Sequence, residues 1–330
     1  MEVFKPDYLD LYHSGELKRR TEALEARLGC CDICPRNCSV NRLKGEVGFC
    51  HSGLLPVVDT VCPHLGEDPP LSGTRGSGTV FFGNCNLRCV YCQNHQISQN
   101  WRKEQSKEME CQTLAEKLLY LQNELGCHNI NFVSPSHFVP QILKTLLIAI
   151  PMGLKIPLVY NTSGYDSLET IKALDGIIDI YLPDLRYASE KIAIFYSQAP
   201  NYVEHARNAI KEMYRQVGNL SLDENDIARR GLIVRHLILP GRLAGSEESM
   251  TWLAKDLSAE VSISLMAQYY PTHRAGWFPA LSRRITEVEY FEVIDLLDKL
   301  GMENGWIQEM SAPENYQPDF ENESHPFNHS

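Results

Sequence analysis

Three cysteines of the sequence are spaced closely enough to bind one metal centre. They occur in the segment GTVFFGNCNLRCVYCQNHQ as Cys85-x3-Cys89-x2-Cys92. Three thiolates on one short loop can each bind one iron of a [4Fe–4S] cube, and the fourth iron then has no protein ligand. An open metal position keeps room for a substrate. Structural zinc takes four ligands, usually in paired spacing, so the 3-then-2 spacing favours an iron–sulfur cluster over zinc.

A second set of cysteines lies near the start of the chain. Cys31-x2-Cys34-x3-Cys38 and Cys50 together supply four thiolates, with Cys30 as a spare beside them. A segment this poor in apolar residues gains much of its fold from a bound metal. The four thiolates suit structural Zn²⁺ as well as a second [4Fe–4S] cluster. The sequence therefore predicts a second metal site without choosing between the two.

Composition limits the class of protein and its partners. All 11 cysteines lie at or before Cys127, and clustered cysteines in odd number indicate metal ligands rather than a disulfide framework. The net charge of −11 disfavours broad binding to nucleic acid. The N-terminus lacks the apolar run of a secretory signal, and no segment has the roughly 18 apolar residues of a membrane span. We expect a cytoplasmic protein that does not contact a membrane.

The elements that must position the cysteine triplet form a repeated pattern. From Gly78 onward, short apolar runs alternate with amphipathic helical stretches. This alternation predicts a parallel sheet with helices outside it. Six units favour a partial (β/α)6 TIM-like barrel over a full eight-unit barrel, with an open doubly wound sheet as the alternative. The predicted strands are Thr79–Gly83, Asn129–Val133, Leu158–Asn161, Ile177–Leu182, Leu232–Leu239 and Ser262–Met266.

The chain divides into three predicted regions. Residues 1–75 form an N-terminal extension with a polar helix, about 8–28, and the cysteine-rich metal-binding segment. Residues 76–305 form the partial barrel, in which Thr113 with Glu116 and Thr286 with Glu289 fit capping boxes at helix starts. Residues 306–330 are polar, acidic and proline-bearing, which predicts a disordered tail.

The triplet and its surroundings resemble a known family. The spacing of the three cysteines is that of the radical S-adenosylmethionine (SAM) superfamily, and Tyr91 fills the aromatic position before the third cysteine. Together with CPRNCSVNRLKGEVGFC, GEDPPLSGTRGSG, NINFVSPSHFVPQIL, NTSGYDS and VRHLILPG, it resembles the group related to pyruvate formate-lyase activating enzyme. The resemblance covers most of residues 8–300.

The resemblance implies both a reaction and its cofactors. A [4Fe–4S] cluster on the triplet would bind SAM and cleave it reductively to a 5′-deoxyadenosyl radical, which abstracts hydrogen from a substrate. The cofactors would be the cluster and SAM, and a reductant such as flavodoxin or ferredoxin would supply the electron. Such chemistry belongs to the cofactor, while the protein orients and shields it.

The resemblance also implies which residues bind SAM. Tyr91 would lie against the adenine, and Ser134 begins the turn that stands where the family has a Gly-Gly-Glu-like turn for the SAM amino group. Asn161 and Thr162 follow the third predicted strand, and Asp184 ends the fourth. Arg235 lies in an apolar strand and would pair with the SAM carboxylate or, alternatively, with an internal acid. The candidates for the substrate end are Gln268, Tyr269, Tyr270 and His273.

Three functions are consistent with the sequence. The first is hydrogen abstraction from a protein glycine, with a glycyl radical enzyme as partner. The second is a radical SAM enzyme that modifies a small metabolite or a peptide. The third is a non-catalytic protein that binds zinc or an iron–sulfur cluster.

Overall fold

The computed structural model of the chain describes residues 4–310, 318–322 and 325–327. Its centre is one nine-stranded sheet in the order β1-β2-β3-β4-β5-β7-β8-β9, and β6 pairs with β7 beside this path. The strands are β1 (Val58–His64), β2 (Ser77–Phe82), β3 (Ile130–Val133), β4 (Leu158–Thr162), β5 (Ile180–Pro183), β6 (Ser221–Leu222), β7 (Ala228–Leu237), β8 (Ser262–Met266) and β9 (Gly305–Ile307).

The six strands predicted from apolar runs are all present as β2, β3, β4, β5, β7 and β8. Neighbours along this series pair in parallel. Every residue of β2, β4, β5 and β8 is buried. Burial on both faces explains why these strands appear as continuous apolar runs in the sequence.

Helices cover the outside of the sheet and close the core. The helix α6 packs against α7, and α2 of the N-terminal extension packs against α7 as well. The helices are α1 (Tyr8–His13), α2 (Glu16–Ala26), α3 (Pro69–Ser72), α4 (His95–Ser98), α5 (Trp101–Glu104), α6 (Cys111–Asn123), α7 (Val139–Ala149), α8 (Leu168–Ala173), α9 (Glu190–Ser197), α10 (Tyr202–Val217), α11 (Ser246–Trp252) and α12 (Glu287–Leu300).

The sheet has two edges, so the barrel is not closed. At one edge β1 pairs antiparallel with β2, and at the other β9 pairs in parallel with β8. The predicted fold class, an α/β partial barrel, is confirmed. The sequence prediction missed β1, β6 and β9. Since β1 lies within residues 1–75, part of the predicted extension belongs to the central sheet.

Two helix starts test the sequence-based capping predictions. Thr286 accepts a hydrogen bond from the Glu289 backbone, and Glu289 bonds back, so this capping box is confirmed. The box at Thr113 is wrong because α6 begins at Cys111 and Thr113 lies inside it. The predicted helix near 8–28 is broken at Gly15, whose φ of 81° requires glycine-like backbone freedom.

The described parts of segment 306–330 pack on the sheet, where the sequence predicted disorder. Phe320 is buried, and its ring meets Phe81 at 5.2 Å between centroids. The ring of Phe327 stacks on His64 at 4.0 Å. Aromatic side chains in this polar segment supply the apolar contact area that holds it. Residues 311–317, 323–324 and 328–330 lie outside the described residues.

The structure also bears on the predicted lack of membrane contact. Among the described residues, no helix combines the length and apolar character needed to cross a membrane.

Candidate active site

A cavity of about 910 Å³ opens at the carboxyl ends of the parallel strands. Ligand-binding sites of α/β proteins occur at this end of the sheet, and the volume is within the usual range for ligand pockets. The strand ends and the loops after them contribute Val133, Asn161, Asp184, Arg235, Ser264, Met266, Gln268 and Ile307 to the lining. Tyr91 and Cys92 line the same cavity.

The three cysteines lie on the cluster loop, which we define as residues 83–92, directly after β2. The sulfur of Cys85 accepts a hydrogen bond from the Leu87 backbone at 3.4 Å. The sulfur of Cys89 accepts one from the Ser197 hydroxyl at 3.0 Å. Sulfurs that accept such bonds are typical of iron–sulfur ligands, whose potential depends on them.

A chain of hydroxyl groups connects Tyr91 to the Cys89 sulfur. The Tyr91 hydroxyl donates to that of Tyr187 at 2.6 Å, and the Tyr187 hydroxyl lies 2.6 Å from that of Ser197. Tyr91 is buried, so its ring forms a fixed wall of the cavity. Tyr91, which is predicted to contact the adenine, is therefore held in place by a chain of hydrogen bonds that ends at the Cys89 sulfur.

The electrostatics of the triplet suit a cationic metal centre. Burial, and then the neighbouring Cys89, raise the pKa of Cys92 to about 12. The same two causes raise the pKa of Cys85. Such thiols become thiolates when a bound metal supplies the compensating positive charge. The donor set of Cys85, Cys89 and Cys92 thus fits an iron–sulfur cluster.

Arg235 occupies the centre of an ion-pair network beneath the cavity. Its guanidinium donates to Asp184 at 2.8 Å, to Glu67 at 3.2 Å and to the Asn161 side chain at 2.6 Å. The second oxygen of Asp184 accepts a hydrogen bond from Arg186. Asn161, Asp184 and Arg235, which are predicted to bind SAM, are therefore in direct contact. Arg235 also pairs with the internal acids Asp184 and Glu67, which was the alternative to pairing with the SAM carboxylate.

Two acidic residues of this site were not predicted from the sequence. Glu67 holds Arg235, and its other oxygen accepts hydrogen bonds from Asn131 and Asn161. Asp68 accepts a hydrogen bond from Ser264, while its second oxygen is buried and has no partner within the described part of the chain. Both lie in the GEDPPLSG segment, whose adjacent acids beside glycine and proline were the available signal.

Ser134 and Thr162 lie at the strand ends but not in the cavity lining. Ser134 has a φ of 59°, a conformation that favours glycine, so the turn keeps a glycine-like shape without glycine. The Thr162 hydroxyl donates to Asp166 at 2.5 Å. Gly164 follows, and a Cβ there would lie 2.6 Å from the Asp184 carbonyl oxygen, so only glycine fits.

Three amide side chains also line the cavity. The Gln268 amide donates to the Gln93 side chain at 3.4 Å, and the Gln308 amide donates to the Gln268 side chain at 3.2 Å. The side-chain oxygen of Gln308 is buried without a partner among the described residues. Tyr269 and Tyr270, two candidates for the substrate end, line the same cavity, whereas His273 is not among the lining residues.

The four N-terminal cysteines, Cys31, Cys34, Cys38 and Cys50, line a separate small cavity together with His137. The sequence placed them in one set, and the structure brings them together. Within the described ranges, no three Cys, His, Asp or Glu side chains of either cysteine set converge closely enough to share one metal ion. An iron–sulfur cube does not require its thiolates to share one metal ion, because each thiolate binds a different iron.

Comparison with known proteins agrees with this geometry. Residues 79–223 match the sequence model of the radical SAM superfamily. The match contains the triplet, Tyr91, Ser134, Asn161, Thr162 and Asp184. Within residues 79–223 the chain is therefore similar to the radical SAM superfamily.

Two proteins of Methanocaldococcus jannaschii are related to the chain. The uncharacterized protein MJ0674 is 29% identical over 315 residues, which cover 92% of this chain and 82% of MJ0674. The uncharacterized protein MJ0808 is 32% identical over 161 residues, which cover 44% of this chain and 46% of MJ0808.

Two solved structures are similar to the chain. The first is HydG, a maturase of the [FeFe]-hydrogenase, with a TM-score of 0.45 and 12% identity; the match covers 68% of this chain and 48% of HydG. The second is TYW1 with a lysine-pyruvate adduct bound, with a TM-score of 0.41 and 13% identity; the match covers 67% of this chain and 73% of TYW1.

Proposed function

We propose that the chain holds a [4Fe–4S] cluster on Cys85, Cys89 and Cys92 and binds SAM in the adjoining cavity. The observation that carries this proposal is the position of the cluster loop. It lies at the carboxyl ends of the strands, and Cys92 faces the same cavity as the ion-pair network of Arg235. Buried polar atoms of Asp68 and Arg186 in that lining have no partner in residues 4–310, 318–322 and 325–327, as expected for a polar ligand site.

The bound cluster and SAM would supply the radical chemistry. With one electron from a donor of the flavodoxin or ferredoxin class, they would cleave a carbon–sulfur bond of SAM to methionine and a 5′-deoxyadenosyl radical, which would abstract a hydrogen atom from the substrate. The protein's own residues bind and orient the reactants. Tyr91 contacts the adenine, and Asn161, Asp184 and Arg235 fix the polar groups of SAM. Ser134 and Thr162 shape the strand-end turns against it.

We further propose a peptide or protein substrate, with hydrogen abstraction from a glycine of a glycyl radical enzyme as the first candidate. The three amide side chains of Gln93, Gln268 and Gln308 support a peptide because amides donate to and accept from a peptide backbone. A small metabolite is the alternative for the same cavity. A glycine-centred EPR signal in a glycyl radical enzyme of the same cell, formed only with this protein and SAM, would support the candidate.

The radical chemistry itself is tested by release of 5′-deoxyadenosine. The protein is loaded with iron and sulfide without oxygen, reduced with dithionite and given SAM. We expect release of 5′-deoxyadenosine from the parent protein and none from Cys89→Ala, with Cys30→Ala as a matched control that keeps the activity. A loaded parent protein that releases no 5′-deoxyadenosine would refute the proposed function.

A further inference from the structure

The N-terminal cysteine set is built as a wrapped loop around one cavity. Cys31 donates its backbone N–H to the Val40 carbonyl at 2.9 Å, and the Ser39 N–H bonds back to the Cys31 carbonyl at 2.9 Å. Gly48 passes so close that a Cβ there would lie 2.7 Å from the Cys38 sulfur. The chain thus converges on the four thiols, and its close approach leaves no room for a side chain at Gly48.

This wrapped loop contacts the cluster loop through a stack of charged and aromatic groups. Arg36 lies between Cys34 and Cys38, and its Nε donates to the Asn86 carbonyl at 2.7 Å. The guanidinium carbons of Arg36 and Arg88 lie 3.6 Å and 4.4 Å from the centre of the Phe49 ring. Arg88 also donates to the Phe49 carbonyl. Residues next to the N-terminal thiols therefore bind residues next to Cys85 and Cys89.

A second connection reaches the start of the cluster loop. The Asn84 side chain donates to the Ser52 hydroxyl at 3.2 Å. His137 lines the N-terminal cavity, and its Nε2 donates to the Gly83 carbonyl at 3.2 Å. Arg42 holds the His137 carbonyl at 2.8 Å. Residues 83–88 of the cluster loop are thus attached to the N-terminal cysteine segment.

We propose that Cys31, Cys34, Cys38 and Cys50 bind a thiolate-held metal centre, and that this centre fixes the cluster loop through Phe49, Arg36 and Arg88. The inference rests on the proposed function only in assigning a cluster to the triplet. An iron–sulfur cube, whose thiolates bind different irons, supplies the charge that the four thiolates need. Metal binding orders the segment 31–52, because little apolar surface is available to order it otherwise.

Metal content per chain tests the site. In anaerobically purified protein, Cys34→Ser should lose four irons with their sulfide, whereas Cys89→Ser should keep them. Loss of four irons supports the site, and loss of a single zinc instead would overturn the cube. Equal metal content in the parent and Cys34→Ser would overturn it. This comparison measures the metal at the N-terminal site even if the triplet binds no cluster.

Phe49→Ala tests the connection between the N-terminal cysteine segment and the cluster loop, and it leaves all cysteines in place. We expect backbone amides of residues 83–92 to exchange with deuterium about tenfold faster, because Arg36 and Arg88 lose the aromatic ring that their guanidinium groups contact. Phe195→Ala, on an exposed phenylalanine, should leave this exchange unchanged. Exchange at the parental rate in Phe49→Ala, with the N-terminal metal retained, would overturn the proposed connection.

Discussion

At the scale of single residues, the sulfurs of the triplet are distinguished by their hydrogen bonds. Ser197 donates to Cys89, and the Ser98 hydroxyl lies 3.3 Å from the Cys92 sulfur. Hydrogen bonds to ligand sulfurs stabilise the more negative, reduced state of a cluster. Ser197 is buried and also meets Tyr187, so its hydroxyl position is fixed.

We predict that Ser197→Ala lowers the reduction potential of the cluster on the triplet, because the reduced state loses a donor. A redox titration followed by EPR measures the potential directly. The control is Ser106→Ala, whose exposed hydroxyl donates to the Lys103 carbonyl. A potential in Ser197→Ala that stays equal to the parent's or rises would contradict the assigned role.

The ion-pair network makes a second prediction about stability. Arg235→Met leaves the largely buried Glu67 without its cation and leaves Asp184 paired with Arg186, and breaking such a buried pair costs about 3–5 kcal/mol. Arg215→Met removes a 57%-exposed arginine from Asp175 and Glu212, and should cost less than about 1 kcal/mol. Urea unfolding of both variants compares the two free energies; equal costs would show that the network does not hold the site together.

The sequence alone identifies the residues whose chemistry depends on their spacing along the chain. The triplet needs only a local pattern, and apolar runs reveal the strand that Asp184 follows and the strand that contains Arg235. Glu67 was missed because its partner Arg235 lies 168 residues away, and β1 brings the two together. No local pattern encodes such a long-range contact. The predicted SAM contacts of individual residues stay predictions.

At the scale of elements, strand burial decided what could be predicted. The six interior strands are continuous apolar runs, whereas β1 carries polar residues and a proline, VDTVCPH, and is only partly buried. β6 and β9 have two and three residues, too few for any periodic signal. Edge strands of this kind are defined by pairing rather than by composition.

The strand β7 carries a histidine that links it to neighbouring elements. His236 is fully buried, and its ring nitrogens lie 2.7 Å from the Leu185 carbonyl oxygen and 2.9 Å from the Ser246 hydroxyl. Its burial lowers the pKa of His236 to about 4. The unfolded chain, with a pKa near 6.5, then binds a proton that the folded chain does not.

We therefore predict that stability falls as the pH decreases from about 6.5 to about 4, and that His236→Gln reduces this fall by on the order of 3 kcal/mol. Urea unfolding at pH 7 and pH 5 measures most of the difference. His13→Gln, on an exposed histidine of α1, is the matched control. The same pH dependence in the parent and His236→Gln would contradict the neutral, buried state of this histidine.

At the scale of the whole molecule, the described C-terminal segments contact the cavity from outside the sheet. Pro318 and Phe327 are among the lining residues, and His325 lies 3.1 Å from the Pro63 carbonyl oxygen of β1. The Gln96 side chain binds Asp319 at 3.1 Å beside the cluster loop. The chain end thus covers the edge strand and one side of the candidate site.

We expect a chain that ends at residue 317 to fold, because all strands of the sheet precede this point. Its β1 amides should exchange with deuterium faster than in the full chain, since Phe320 and Phe327 no longer cover them. The double variant Phe320→Ala and Phe327→Ala should show the same effect without shortening the chain. Unchanged exchange in β1 would show that the segment does not cover this edge.

Mössbauer spectroscopy of ⁵⁷Fe-loaded protein is the most direct test of a cluster that has one iron without a protein ligand. In the parent protein, addition of SAM should change the signal of one iron of the cluster held by Cys85, Cys89 and Cys92. The Cys89→Ala variant should lose that cluster and show no response to SAM. A parent spectrum that does not change with SAM, or a Cys89→Ala variant that keeps the full response, would contradict the assignment.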